Sequence, residues 1–328
     1  MNRSASCSVL PFLAGLILVL AVVSLAVGKV WVSPWGIFSG EEAARTFIVR
    51  DLRLPRTLLA ILVGGVLGLS GAVLQGYLRN PLADPGVLGV SACAAFGAVM
   101  AIWFGIGGLA VWVLPLCAML AAIAGMALLY LLAVETSRGT TFILAGIILN
   151  SLAGALTSFA ISLAPSPFAT AEIINWMMGA LTDRSMVDVA IILPFVLLGG
   201  GLLLTTGRAL DGLSLGEMTA RTLGIDLVAT HRRILIGVGI AVGATVAVTG
   251  IIGFVGLVVP HLLRPLVGAR PGALLVPSIF GGSALVLAAD TVVRVLPGGT
   301  EVKLGIVMAV LGAPFFLYLL MKMRSQLA

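Results

Sequence analysis

Long stretches without a formal charge alternate with short charged segments along the whole chain. The charge-free runs are Ser4 to Gly28, Thr57 to Leu78, Pro85 to Val134, Gly139 to Ala171, Val189 to Gly207, Ile234 to Leu263, Pro271 to Ala289 and Leu304 to Met321. Most have the length of the about 20 apolar residues that a helix needs to cross a hydrocarbon core. The 50-residue run from Pro85 must cross twice, and Gly105-Ile106-Gly107-Gly108 supplies the break. Ile234 to Leu263 is short for two full crossings, yet Gly250-Ile251-Ile252-Gly253 and Pro260 argue against one continuous helix. Counted as two crossings, with a short leg running past Arg264, it brings the total to about ten.

The charged segments sort by side when Arg3 is placed inside. Eleven cations and five carboxylates then fall inside, among them Arg79, Arg138, Arg208, Arg221, Arg232, Arg233, Arg264 and Arg270. Eight cations and eight carboxylates fall outside, among them Arg45, Arg50, Arg53, Arg56, Arg184, Arg294 and Lys303. The whole formal charge of +6 lies on one face, as positive-inside sorting requires. Both termini are expected inside; a single crossing at 234–263 would put the Lys322/Arg324 tail outside.

Composition agrees and excludes other classes. Sixty per cent of the 328 residues are hydrophobic and 10% charged, with mean hydropathy +1.19, which a water-soluble domain of this size does not sustain. The expected fold is an all-α polytopic membrane bundle, one permease domain over residues 1–328. Topology accounts for the basic charge, so no nucleic-acid partner is needed. Cys7, Cys93 and Cys117 lack metal or disulfide spacing and are expected to act as small apolar residues. Ser4 to Gly28 is too long for a signal-peptide core and, with Trp31 and Trp35 after it, is expected to be an uncleaved first span. Gly64xxxGly68, Gly239xxxGly243 and the glycines at 250, 253 and 256 predict close helix approach, with a flexible pathway lining as the sharper alternative.

Catalytic chemistry is missing from the pattern. There is no GxxxxGK[ST] phosphate loop, HExxH or GxSxG, so no catalytic residue, metal site or cofactor is expected and any ATP use falls to a partner. His231 and His261 sit beside basic residues near the inner face and are expected to be structural. The charges lie at span ends, which argues against an ion-coupled carrier acting alone, the alternative from a different class. Asn80-Pro81-Leu82-Ala83-Asp84-Pro85-Gly86 ends one span in a rigid turn, with Asp84 a cap for the next helix. In the longest inside loop, about 208–230, Leu213 to Gly224 predicts one short amphipathic helix. Glu217 and Arg221 are paired a turn apart on it, and Leu213, Leu215, Met218 and Leu223 suit a groove on another protein. Asp290 and Arg294 are likewise one turn apart and can pair.

Seven segments in this order, RLPRT, SGAVLQ, NPLADPGVLGVS, LSLGEMTARTLG, IIGFVGLVVPHLLR, AADTVVR and LGAPFFLYLL, resemble the permease subunit of type II ABC importers for iron-siderophore complexes, haem and vitamin B12. The resemblance implies ten helices, a homodimer around a central pathway, two copies of a cytoplasmic ATPase, a periplasmic substrate-binding protein and residence in the inner membrane. By that resemblance Arg53, Arg56 and Arg294 dock the binding protein, pointing outward at the rim. Asn80, Leu82, Gly139 and Thr140 form a cytoplasmic gate. Leu213, Leu215, Gly216, Glu217, Met218, Arg221 and Gly224 belong to the helix that couples to the ATPase. Pro165 to Asp183, with Glu172, Trp176, Met177 and Met178, forms the outer vestibule. Iron-siderophore is the leading substrate expectation because it is the commonest in the family; cobalamin and haem remain open alternatives.

Overall fold

The structure is a computed structural model that describes residues 3–28, 30–32, 43–133, 139–297 and 301–327. Every regular element among them is helical: α1 (Arg3–Ala26), α2 (Ala43–Phe47), α3 (Leu54–Leu78), α4 (Val90–Trp103), α5 (Val113–Ala133), α6 (Gly139–Ser162), α7 (Pro167–Met177), α8 (Met186–Leu204), α9 (Gly207–Ser214), α10 (Glu217–Thr222), α11 (Leu227–Thr249), α12 (Val255–Val267), α13 (Pro271–Val295) and α14 (Leu304–Leu327). Eight helical segments are long and apolar enough to cross a membrane, and α4 and α12 are two shorter apolar helices. Together they make the ten expected segments of a multi-pass membrane protein.

Both glycine breaks occur where the pattern puts them. Gly105 takes φ +69° and a 3-10 turn at Ile106–Gly108 separates α4 from α5. Gly250 takes φ +70° and Phe254 φ +66°, and the non-helical residues between them lead into α12. Non-helical backbone at membrane depth must find partners inside the protein. Here Ala180 N–H donates to the Thr249 carbonyl at 2.8 Å and Gly305 N–H to the Gly179 carbonyl at 3.0 Å. A methyl group on Gly250 would collide with the Trp176 carbonyl, and one on Gly179 with that of Ile251.

The centre of the bundle is α3. Gly64 and Gly68 lie against Gly282 and Ser278 of α13, so closely that a Cβ on either would strike a backbone carbonyl. Ser283 Oγ adds a hydrogen bond to the Ile61 carbonyl at 2.7 Å. Gly71 meets Gly256 of α12 in the same way. Gly239 and Gly243 face Met126 and Ala122 of α5. The glycine pattern is thus a packing device at each of these pairs. The outermost segments are α1 and α14, whose span windows are 17% and 22% buried, against 83% for the segment containing α3.

Two local features go beyond or depart from the sequence pattern. At the start of α3 a π-helical stretch, Ile48–Arg53, runs directly into the helix. Pro55 lacks the N–H that would return to Asp51, which favours such a widened turn. The single amphipathic helix expected over Leu213–Gly224 is two pieces, α9 and α10, divided at Gly216 with φ +105°.

Candidate functional site

At the end of the bundle expected to face outside, α1, α3 and α13 bring Arg53, Arg56 and Arg294 together, buried in the protein instead of pointing outward. Their relative exposures are 7%, 9% and 4%, and Asp290 between them is fully buried. Arg56 Nε donates to both Asp290 oxygens at 2.9 and 3.0 Å, and its Nη1 reaches Glu301 at 2.9 Å. Arg294, one turn beyond Asp290, donates to it through Nε at 2.9 Å and Nη2 at 2.5 Å. The same guanidinium reaches Ser24, bonding its carbonyl and its hydroxyl at 2.8 Å each. Arg53 donates to the carbonyls of Leu25 and Ala26 at 2.8 Å and to that of Val30. A cation there meets the negative end of the α1 dipole and satisfies carbonyls that the helix leaves open.

This network closes one wall of a cavity of about 900 Å³. Arg53, Arg56, Arg184, Arg294 and Lys303 line it against Asp183 and Glu301, so the outer mouth carries an excess of cations. Of the expected vestibule segment, α7 is capped by Ser166, whose side chain accepts from Ala169 N–H at 3.2 Å. Trp176 packs on both hydrophobic clusters of the core.

At the inner end, the turn after α3 folds as its residues require. Arg79 closes α3 in the left-handed region, φ +49°, and Asn80 Oδ1 accepts from Leu82 N–H at 3.0 Å. Asp84 Oδ1 accepts from Gly86 N–H at 2.8 Å and caps a 3-10 helix, Pro85–Leu88. Burial pushes the Asp84 carboxyl up from its ordinary range, opposed by hydrogen bonds from the backbone of Gly86 and Leu257. Asp84 therefore ties this turn to the start of α12, a second role the spacing does not reveal. Gln75 joins the same seam: its amide donates to the Gly256 carbonyl at 3.1 Å, and Arg264 Nη2 donates to its Oε1 at 2.9 Å. Gly139 and Thr140 open α6; their side chains lie outside the described residues.

The two histidines, expected to be structural, pack among aromatic rings. Tyr77 hydroxyl and His231 Nδ1 form a hydrogen bond at 2.5 Å, with Phe142 and Tyr130 around the imidazole. His261 sits edge-on to Phe315. Among the described residues, no group of three or more His, Cys, Asp or Glu is arranged to hold a metal ion.

On the inner loop, Leu215, Met218 and Leu223 are 65%, 77% and 62% exposed. Leu213, expected on the same face, is buried at 4% and belongs to the core. Glu217 approaches Arg79 at 3.9 Å in place of the expected partner Arg221. Asp211 anchors the loop to α13, accepting from Arg270 Nε and Gly272 N–H at 2.7 Å each.

Comparison with known proteins agrees with this architecture. A model of the FecCD transport family matches residues 16–322. The cobalamin import system permease protein BtuC of Halobacterium salinarum is 42% identical over 289 residues, 86% of this chain and 75% of that protein. The vitamin B12 import system permease protein BtuC of Yersinia pseudotuberculosis is 36% identical over 323 residues, covering 96% and 93%. A solved structure described as an inward-facing conformation of a metal-chelate type ABC transporter superposes with a TM-score of 0.85 at 32% identity, covering 97% of this chain and 99% of that one. With the family model running from the first span to the last and full-length relatives sharing a third or more of its residues, this chain belongs to the FecCD transport family.

Proposed function

We propose that the chain is the membrane subunit of an ATP-driven importer of a metal chelate, working as a pair of identical copies with a separate ATPase and a substrate-binding protein. The observation that carries this reading is the near-complete superposition on a metal-chelate type ABC transporter. A feature of α6 supports pairing. Asn150, Ser151, Gly154 and Ser158 are all exposed on one side of a membrane segment, and a polar face in hydrocarbon calls for a partner or a water-filled path. A second copy set against it forms such a path.

In this reading Arg53, Arg56 and Arg294 seat acidic side chains of the binding protein, which compete with Asp290 and Glu301 for them. Asn80, Leu82, Gly139 and Thr140 close the inner gate. Leu215, Met218 and Leu223 dock on the ATPase, with Gly216 and Gly224 setting the bends and Glu217 and Arg221 the polar rim. ATP binding draws the two ATPases together, moves these loops and shifts the pathway between its open states. Both termini lie in the cytoplasm, across the inner membrane.

The chelate is the finer question. Family frequency favours an iron-siderophore, while the relatives named for cobalamin favour a corrinoid, which is the reading to test first. The measurement is ATP-driven uptake by proteoliposomes holding this chain, its ATPase and its binding protein, offered cyanocobalamin, a ferric siderophore or haem. Uptake of cyanocobalamin alone supports the corrinoid, and uptake of the siderophore alone restores the iron reading. ATP-independent uptake driven by an ion gradient would overturn both in favour of a carrier.

A further inference from the structure

Beside the docking arginines is a smaller recess of about 320 Å³, lined by Trp176, Arg184 and Lys303 together with Asn175, Glu172 and Asp183. Its donors are unusual. Trp176 Nε1 and Arg184 Nε are both buried and have no protein acceptor. Neither the Arg184 guanidinium nor the Lys303 ammonium makes a hydrogen bond or ion pair with another described residue, although both are only partly exposed. Native proteins leave few buried donors unpaired, and those left cluster where something else supplies the acceptor.

The neighbouring carboxylates do not fill that role. Asp188, four residues beyond Arg184, is spent on its own capping box, accepting from Ser185 N–H at 2.7 Å and Ser185 Oγ at 3.0 Å. Glu172 and Asp183 are exposed at the edge of the recess and lie beyond ion-pair distance of Arg184 and Lys303. The local backbone holds this arrangement: Gly179 and Asp183 take φ +69° and +58°, turning the chain twice between α7 and α8. Asn175 and Thr249 spend their donors on helix carbonyls, Ala171 at 3.0 Å and Thr245 at 2.9 Å. Burial lowers the Arg184 pKa, with Asp188 and Asp183 pulling the other way, which leaves a guanidinium whose hydration has been reduced without a bonded counter-charge.

We infer that Trp176, Arg184 and Lys303 form an oxyanion-binding subsite in the outer vestibule, taking one carboxylate or phosphate group of a small molecule. Two cations and a neutral indole donor line a space that admits such a group. Trp176 Nε1 and Arg184 Nε are buried and the recess is only about 320 Å³, which suits a small group better than a folded partner's surface. The source is either a free anion or an anionic group borne by the transported chelate. The site stands apart from the importer reading, because it is tested by binding to the chain alone.

The test is titration of the purified full-length chain with inorganic phosphate, followed by calorimetry and by thermal unfolding at constant ionic strength. Phosphate should bind saturably and raise the melting temperature. Arg184→Gln should weaken binding by about ten- to a hundredfold, the range of a charge-assisted hydrogen bond, and Lys303→Gln by a similar factor. Trp176→Phe removes the N–H together with part of the ring and should cost about fivefold, with the melting curve of the unliganded variant reporting any loss of packing. Arg208→Gln, on the opposite face, should change nothing. Ferric citrate and cyanocobalamin are then added in competition. Displacement assigns the subsite to an anionic group of the chelate; retained phosphate binding without displacement assigns it to a free anion. Absence of saturable binding, or equal binding by wild type and by folded Arg184→Gln and Lys303→Gln variants, overturns the proposal.

Discussion

The arginine cluster at one end of the bundle and the loop of α9 and α10, the proposed docking and coupling sites, treat their side chains in opposite ways. At one end Arg56 and Arg294 are drawn in and paired with Asp290, and Arg53 is drawn in against backbone carbonyls. On the loop, Leu215, Met218 and Leu223 are left out with nothing over them in the single chain. A charge at an outer mouth is useful only if it is held in place, and holding it takes internal counter-charges that a partner must displace. An apolar side chain needs no such reserve, since burying it against a partner is favourable whenever a groove of the right shape arrives. On the proposed function, the outer contact would then be built for exchange and the inner one for durable attachment.

The largest expected effect breaks the outer half of that comparison. Asp290→Ala strands two guanidiniums in a buried site, a change that costs about 3–5 kcal/mol in comparable pairs, so the purified chain should melt far below wild type. Unchanged melting would mean that the rim does not rest on this carboxylate. Next comes the inner half: Leu215→Glu with Met218→Glu should reduce affinity for the ATPase by about a hundredfold, as loss of central apolar contacts does, with melting unchanged. Undiminished co-purification would remove these side chains from the interface.

Arg56→Glu sharpens the contrast. Docking of the binding protein to the reconstituted complex should weaken about tenfold at low salt and converge towards wild type at high salt. Because the new carboxylate would face Asp290 and Glu301, stability should fall too, an effect that a freely exposed arginine would not produce. Affinity at two salt concentrations and a melting curve decide between the two. The smallest effect belongs to Glu217→Gln. Its contact with Arg79 is 3.9 Å long between half-exposed groups, so stability should stay within about 0.5 kcal/mol, as a denaturation curve would establish.

Much of the fold is legible in the chain because membrane insertion reads the same variable that a sequence displays, the spacing of charges. The charge-free runs follow from it, and the glycines at 105–108 and 250–253 divide the two runs that charge spacing leaves whole. Direction is another matter. Arg53-Leu54-Pro55-Arg56 looks like a loose basic mouth until Asp290, 234 positions away from Arg56, is known to lie beneath it. The same holds for Gln75 and Arg264, separated by 189 positions, and for Asp84, whose partner at Leu257 no local pattern announces. The division of the coupling helix did leave a local mark, Gly216 in the middle of an otherwise amphipathic run. Leu213 falls on the core side of that division, where a helical projection of the uninterrupted segment puts it on the surface.

The glycine seam between α3 and α13 has a mechanical consequence. Where backbone meets backbone, no rotamer is available to absorb a displacement, and a slide of one helix along the other would drive peptide groups into each other. Ser283 pins the middle of this seam and the Arg56–Asp290 pair rivets its outer end. The two helices therefore form a single plank, and in the proposed importer any rocking that opens one face of the pathway and closes the other would have to be taken up elsewhere, at the glycine-broken lead into α12 and along the thinly packed α1, α6 and α14.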